Sequence, residues 1–232
     1  MAIKIKNWKL AILALLFFCL FIALGNWQLQ RAHQKKLLLK SFSQRMERIP
    51  LTAQDLKANT DLRFFRASLT GHFDNQHTFL LDNKTFHGKV GYEVYTPFIA
   101  HGLKSPLLID RGFIQATGSR SILPTIKPIS GTILLTALIN LPPSYHALGT
   151  LQESQHVQWP MRIEFISLPE LSKLLGSTLF PYVLVLEPHH EAAYDIEWQP
   201  VIMGPEKHVG YAIQWFAFAL TLLLLFAALN RK

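Results

Sequence analysis

The chain has little of what disulfide-rich proteins and many enzyme classes need. Its 232 residues include a single cysteine, Cys19, so it forms no disulfide within itself and no thiolate cluster for zinc. It contains no Gly-x-Ser-x-Gly nucleophile elbow, no His-Glu-x-x-His zinc helix and no glycine-rich phosphate loop. These absences leave no motif from which a catalytic residue could be assigned.

Acidic residues are also scarce. The sequence has 15 Asp and Glu against 23 Lys and Arg, which gives a formal net charge of +8. A basic chain can bind nucleic acid, but two long apolar segments make anionic lipid head groups or acidic partners the nearer explanation. We therefore expect a lipid bilayer as one partner and no nucleic acid.

The second apolar segment runs from Tyr211 to Leu229. It has 19 residues, of which only Gln214 and Thr221 are strongly polar. At 1.5 Å per residue, a helix of this length spans about 28 Å, close to the apolar thickness of a bilayer. The sequence therefore predicts a transmembrane helix over residues 211–229.

The start of this helix is marked by Gly204-Pro205-Glu206, because proline suits a first helical position and a carboxylate suits the positive end of the helix dipole. His208 therefore falls in the first turn. The helical period places six residues on one face: His208, Tyr211, Ala212, Trp215, Ala219 and Leu222. Two interpretations of this face stay open. Its rings are either anchors at the membrane interface or the wall of a site for a flat apolar ligand, with neutral His208 as metal ligand.

The first apolar segment, Leu10 to Leu24, follows three lysines and ends at Gly25-Asn26-Trp27. It predicts a transmembrane helix over residues 10–27. A cleavable signal peptide is the alternative, since Ala23-Leu24-Gly25 has small residues two apart. Residues 28–48 lack Gly and Pro, so we expect the helix to continue as a polar stalk until Pro50.

Four residues share one face of that stalk: Trp27, Arg31, Gln34 and Lys35. The face is either a solvated basic surface that touches lipid head groups or a specific anion site. Two spans put both termini on the same side of the membrane. Basic residues flank both sides in nearly equal number, so charge alone does not decide the orientation.

Between the spans, short β-rich runs are separated by glycine and other turn residues, as in an antiparallel sheet or partial barrel. The predicted strands are Arg63–Leu69, Thr78–Leu81, Tyr92–Ile99, Leu107–Ile114, Thr132–Ile139, Arg162–Ile166 and Tyr182–Leu186. A short helix is predicted from Ser167 to Leu175, and an exposed loop from Leu141 to Trp159. The predicted class is an α+β membrane protein, two transmembrane helices flanking a mostly antiparallel β domain.

Four separated segments together resemble the Surfeit locus protein 1 family of cytochrome c oxidase assembly proteins. They are Gly25–Arg31, Gly91–Pro97, Leu107–Ile114, and a last one from Trp198-Gln199-Pro200 to His208–Phe216. Their order matches the family architecture of one membrane helix at each end and a domain between. Asp110 and Phe113 depart from the family pattern, in which Asn and Trp are common at these positions.

The resemblance implies a two-pass protein of a bacterial inner membrane, with residues 28–210 in the periplasm and residues 1–9 and 230–232 in the cytoplasm. It implies a role in the maturation of a haem–copper oxidase, by receiving haem a and helping it into the catalytic subunit. Haem a synthase is a further expected partner, and no enzymatic activity is expected.

Members of the family have been proposed to bind haem through a histidine of the second helix, and His208 matches that position. On this hypothesis His208 supplies the axial nitrogen, and Tyr211, Trp215 and Trp27 pack the macrocycle. Arg31 or Lys35 then meets the propionates. The alternative hypothesis is a cofactor-free scaffold that holds an oxidase subunit during assembly.

Overall fold

A computed structural model describes residues 7–58, 61–118, 122–143, 158–198 and 203–230. The chain divides into two units. We call the first the helical unit, Met1–Ser43 with Gln199–Lys232, and the second the barrel unit, Gln44–Trp198. The predicted loop from Leu141 to Trp159 falls mostly outside the described residues, as do Gln199 and Pro200.

Two long helices make up the helical unit: α1, Trp8–Met46, which has 39 residues, and α4, Pro205–Leu229, which has 25. Both are long and apolar enough to cross a membrane, and their most apolar windows are only 6% and 11% buried. Core helices of water-soluble proteins bury most of such a window, so these two match helices that face lipid. The predicted limits 10–27 and 211–229 lie inside them, and where a membrane begins along each helix stays a prediction.

The prediction of a helical stalk is confirmed, because α1 continues without a break to Met46, four residues before Pro50. The two helices run antiparallel. Gln28 of α1 contacts His208 in the first turn of α4, whereas Phe18 of α1 lines a small apolar cavity with Phe226 near the other end of α4.

The barrel unit contains seven strands and two short helices. The strands are β1 Arg66–Phe73, β2 Phe79–Phe86, β3 Lys89–Ala100, β4 Leu107–Gln115, β5 Ile133–Asn140, β6 Met161–Ile163 and β7 Val183–Leu186. The helices are α2 Ala53–Ala58 and α3 Leu168–Leu175. The class predicted from the sequence, α+β with mostly antiparallel strands between two long apolar helices, is confirmed.

Five of the strands close into a barrel in the order β1, β5, β7, β4 and β3. Pairing of β1 with β3, which sets Gly71 opposite Ala100 and Phe73 opposite Phe98, completes the ring. Strand β2 pairs with β3 outside the ring, and β6 then pairs with β2. The pairs β4–β7 and β2–β6 are parallel and all others are antiparallel. Closure satisfies backbone groups that an open sheet would leave at its edges.

Alternate residues along each strand supply two separate cores, because successive side chains point to opposite faces. Leu107 and Ile109 of β4 belong to the larger core, together with apolar residues of β1, β5 and β7. Leu108 lies in the second core, where Leu171 of α3 and Ile163 of β6 cover the outer face.

Strand β2 is longer than the sequence predicts. The prediction ends it at Leu81, before Asp82-Asn83, but the strand continues to Phe86. Asn83 adopts a left-handed backbone with φ 58°, and the register with β3 shifts between Leu81 and Lys84, which is a β-bulge rather than a turn. The turn comes at His87-Gly88, where both φ angles are positive, as two-residue hairpins require.

Candidate functional site

His208 lies in the first turn of α4, where the sequence predicts it. Gly204 precedes the helix with an extended backbone, Pro205 takes the first helical position, and Glu206 supplies a carboxylate to the first turn. The His208 side chain is half-buried. Only a neutral imidazole has a lone pair for a metal, so the contacts of its two nitrogens decide which one is available.

A hydrogen bond to the other helix orients the imidazole. His208 Nδ1 lies 2.8 Å from Oε1 of Gln28 in α1. The amide oxygen can only accept, so Nδ1 carries the proton and the lone pair is left on Nε2. Histidines that ligate metals are commonly held in this way, with one ring nitrogen donating to a fixed oxygen and the other free for the metal.

Below this pair, the predicted face of α4 packs against α1. Ala212 and Ala219 are buried, and the ring of Trp215 stacks on Phe21 with centroids 5.8 Å apart and planes at 27°. Gly25 makes room for the ring of Phe216, since a Cβ atom there would lie 2.5 Å from it. The contacts of Ala212, Trp215 and Ala219 with α1 leave a narrower free surface than the six predicted residues define.

Contacts join three of the four residues of the predicted basic face of α1. The Arg31 guanidinium lies 5.6 Å from the Trp27 ring centroid, and Arg31 Nη1 donates to Gln34 Oε1 over 3.2 Å. Lys35 is half-buried and lies two helical turns after Gln28, on the same side of α1. No contact joins His208 to Arg31 or Lys35 among the residues that the structure describes.

Two rings remain exposed near this end of the helical unit. Trp27 is 48% exposed and Tyr211 is 45% exposed. Stalk residues 28–46 carry Arg31, Lys35 and further basic residues and no acid. An apolar, aromatic surface thus lies on the same helices as a positive field and an imidazole nitrogen, which together suit a flat ligand that carries anionic groups.

Gln28 is the residue that sequence reasoning missed. It lies in the segment Gly25–Arg31 but was not assigned a role, because its partner is 180 residues away in the chain. A polar residue at the exit of an apolar helix is also what a hydrated helix end would show.

The barrel unit buries a second group of polar residues, which lie on strand β4. Arg111 is 1% exposed and donates from Nε to the Ala192 carbonyl over 2.9 Å and from Nη2 to the Lys127 carbonyl over 3.0 Å. Its guanidinium also lies between the rings of Phe73 and Tyr194, at 5.4 and 5.1 Å. Arg111 therefore ties two irregular segments to the barrel wall.

Asp110, the preceding residue, points to the opposite face and is 5% exposed. Its Oδ1 accepts a hydrogen bond from the Gly112 amide over 2.9 Å. Burial, and then the nearby negative charge of Glu93, raise the pKa of Asp110 well above its usual range. Gly112 has φ 98°, and a Cβ atom there would lie 2.6 Å from the Asp195 carbonyl oxygen, so only glycine fits between these segments.

Comparison with known protein families assigns the chain. The family model described as the SURF1 family matches residues 15–220, which include most of both long helices and the whole barrel. The chain belongs to the SURF1 family. All four segments that carried the resemblance fall within the match, and those described lie on α1, β3, β4 and α4.

Individual relatives extend this assignment. The SURF1-like protein of Rickettsia bellii is 25% identical over 233 residues, covering 97% of this chain and 92% of the relative. Surfeit locus protein 1 of Gallus gallus is 31% identical over 125 residues, 47% of this chain and 39% of its own. The Cytochrome oxidase assembly protein SHY1 of Saccharomyces cerevisiae is 26% identical over 211 residues, covering 86% of this SURF1 chain and 50% of SHY1.

Proposed function

We propose that this SURF1 protein assists the assembly of cytochrome c oxidase by receiving haem a and helping its insertion into the catalytic subunit. The name of the yeast relative SHY1 supports the assembly role. The observation that carries the cofactor part is the hydrogen bond between His208 Nδ1 and Gln28 Oε1, which leaves Nε2 free to bind a metal.

The donor set favours a haem over a bare metal ion. No cluster of three or more His, Cys, Asp or Glu side chains that could hold a metal occurs in the described part of the chain. A protein-bound zinc ion needs three or four such ligands, whereas a porphyrin supplies four nitrogens itself and asks the protein for one or two axial ligands. A single oriented imidazole therefore fits haem iron better than any free ion.

The other predicted residues take supporting roles in this proposal. Haem a, when bound, supplies an iron with axial positions to fill and two propionate groups. His208 Nε2 would ligate the iron, and Gln28 would hold the imidazole ring in place. Tyr211 and Trp27 offer exposed aromatic surface, with Trp215 packed beneath, and Arg31 and Lys35 offer positive charge to the propionates.

Partial exposure of His208 suits a carrier that must release its cargo. A half-buried ring with one protein ligand holds a haem less firmly than a closed pocket with two axial ligands would. We accordingly propose a transient haem, received from haem a synthase at the periplasmic face of a bacterial inner membrane, and no catalysis by SURF1 itself.

Absorption of the purified protein tests the cofactor role. Full-length protein in detergent, made in cells that synthesise haem a, is expected to show a Soret band that His208→Ala removes. His33→Ala is the matched control, because His33 is an exposed histidine on the stalk of α1. Gln28→Leu should shift the Soret band or weaken haem retention, because the imidazole loses its fixed tautomer. A Soret spectrum unchanged by His208→Ala would overturn the haem role.

The second candidate function is a cofactor-free scaffold, favoured by the exposure of Trp27 and Tyr211 at the helix ends, as in interface anchors. It predicts stoichiometric co-purification of SURF1 with the oxidase catalytic subunit and full oxidase assembly in cells that carry His208→Ala. Haem-dependent assembly and haem-free holding thus give opposite results with the same variant.

A further inference from the structure

One end of the barrel unit carries four arginines grouped around two phenylalanine rings. We call Arg45, Arg48, Arg63 and Arg66 the arginine cluster. The Arg45 and Arg48 guanidiniums lie 4.8 and 5.7 Å from the Phe65 ring centroid, and Arg63 lies 4.4 Å from that of Phe64. Arg66 donates from Nη2 to the Arg48 carbonyl over 3.3 Å, which links it to the group.

Among the described residues, Arg45 is the member of the cluster that is paired with an acid. Arg45 Nη1 donates to Asp61 Oδ1 over 3.0 Å, and these hydrogen bonds lower the pKa of Asp61. Arg63 Nε donates to the neutral side chain of Asn140 over 3.2 Å instead. Within the described ranges, Arg48 has no ion pair, and the buried Nε of Arg66 has no hydrogen-bond partner.

Glu47, next to Arg48 in the chain, is exposed. Even with Asp61 and Glu47 counted, the four guanidiniums leave the cluster with a net positive charge. A guanidinium close to an aromatic ring gains a cation–π attraction, and its planar set of N–H donors can bind a carboxylate through two hydrogen bonds. Ile49, next to Arg48, adds an apolar side chain that is 87% exposed.

An apolar groove adjoins the arginine cluster. It has a volume of about 1010 Å³ and is lined chiefly by Phe165, Leu168, Leu179, Pro142 and Pro181, with Lys173 at its rim. Asn140, the partner of Arg63, pairs with Val183 at the end of the β5–β7 ladder. Pro142 and Pro181 each lie two residues beyond that pair, so the groove begins where the arginine cluster ends.

We infer that the groove and the arginine cluster form one docking surface for an acidic amphipathic segment of the oxidase catalytic subunit. The segment would place apolar side chains in the groove and carboxylates on Arg48, Arg63 and Arg66. This inference rests on the proposed assembly function, from which the partner is taken. A protein segment fits this surface because one segment can offer apolar side chains to the groove and carboxylates to the guanidiniums.

Site-specific photo-crosslinking maps the surface on the full-length protein in membranes. A benzoylphenylalanine residue is placed at Lys173 on the groove rim, at Ile49 beside the arginine cluster, or at Val90 as a control. Val90 is exposed, but it lies in the β2–β3 hairpin and touches neither feature. Crosslinks to the tagged catalytic subunit are expected from Lys173 and Ile49 and not from Val90.

Charge reversal supplies the second measurement. Arg48→Glu with Arg66→Glu should lower the amount of catalytic subunit that co-purifies with SURF1 about tenfold, and wild-type co-purification should weaken as salt rises. Lys57→Glu with Lys89→Glu changes net charge equally at exposed positions elsewhere in the barrel unit, and should have little effect. Thermal unfolding of each variant shows whether the fold is kept. If the arginine variant has a clearly lower unfolding temperature, the crosslinking experiment alone tests the docking surface.

The outcomes separate the two proposals. Failure of wild-type protein to co-purify with the subunit or to crosslink to it at any position would overturn the assembly function and the docking surface together. Co-purification that survives Arg48→Glu with Arg66→Glu, or crosslinks that come from Val90 alone, would overturn only the docking surface. Crosslinks from Lys173 to lipid or to residues 144–157 of the same chain would also overturn it.

Discussion

The two units treat polar side chains in opposite ways. In the helical unit the apolar residues face outward, and a prominent polar contact between α1 and α4 joins His208 to Gln28. The barrel unit instead buries ionisable side chains, among them Arg111 at 1% and Asp110 at 5% exposure. Arg111 donates hydrogen bonds to backbone carbonyls, whereas the hydrogen bond of His208 leaves its Nε2 lone pair unused. A buried polar group therefore points to ligand binding only when its partners leave bonding capacity free.

Removal of Arg111 should produce the largest loss of stability. Arg111→Ala is expected to lower the free energy of unfolding by about 3 kcal/mol or more, because two carbonyls lose a charged donor at about 1–3 kcal/mol each. Arg111→Lys should recover only part of the lost stability, since a single ammonium group cannot donate to both carbonyls as the guanidinium does. Denaturant unfolding followed by circular dichroism measures both, with the exposed Lys89→Ala as control. A loss no larger than that of Lys89→Ala would contradict the structural role.

Enlarging Gly25 tests the corresponding contact in the helical unit. Gly25→Leu should destabilise packing of α1 on α4 by about 1–3 kcal/mol, because a Cβ atom there meets the Phe216 ring at 2.5 Å. Phe216→Ala in the same chain should restore much of the loss by opening space. The exposed neighbour Ala23→Leu is the control. Thermal unfolding in detergent reports the effect, and equal stability of all four proteins would show that the helices do not pack as described.

Asp110 gives the stability of the barrel unit a dependence on pH. Folding raises the pKa of Asp110, so between the ordinary carboxyl pKa and the raised value the folded protein holds a proton that the unfolded chain has released. Stability therefore falls as pH rises through that window and stays lower above it. Asp110→Asn keeps an oxygen for the Gly112 amide and should stabilise the protein at neutral pH, on the order of 1 kcal/mol.

Asp55 is the control of opposite sign. It accepts hydrogen bonds from the Thr52 amide and hydroxyl, which lower its pKa, so its contribution is present above the ordinary carboxyl pKa and lost as pH falls. Asp55→Asn should therefore flatten the acid side of the stability profile. If Asp110→Asn left the free energy of unfolding at neutral pH unchanged, the buried carboxyl would not destabilise the protein as we expect.

Local patterns predicted most elements of both units. Apolar length predicted the two long helices, and β-rich runs ended by turn residues predicted all seven strands within a few residues. Closure of the barrel was beyond such patterns, because it depends on pairing Gly71 with Ala100 across 29 positions. A Cβ atom at Gly71 would lie 2.2 Å from the Ile99 carbonyl oxygen, so a glycine at position 71 is needed for closure. Nothing in the neighbouring sequence indicates this role.

The candidate site shows the same limit. Gly204-Pro205-Glu206 predicted the start of α4, and with it the position of His208, from local chemistry alone. The Gln28 contact depends on how far α1 slides along α4, which no spacing within either helix encodes. Helical period likewise grouped Ala212 and Trp215 with His208 but could not tell that α1 covers them.

Removal of Arg31 should have the smallest effect on folding and so sharpens the contrast with Arg111. Its contacts are an exposed cation–π pair with Trp27 and a hydrogen bond to Gln34, so Arg31→Ala should cost about 0.5–1 kcal/mol at most. If Arg31 also meets a propionate, the variant should retain less haem after detergent exchange, while Arg31→Lys, which keeps the charge, should retain more than Arg31→Ala. Haem per protein from the Soret absorbance, beside the unfolding temperature, measures the two effects. A large loss of stability with unchanged haem would make Arg31 structural, as Arg111 is, and would remove it from the site.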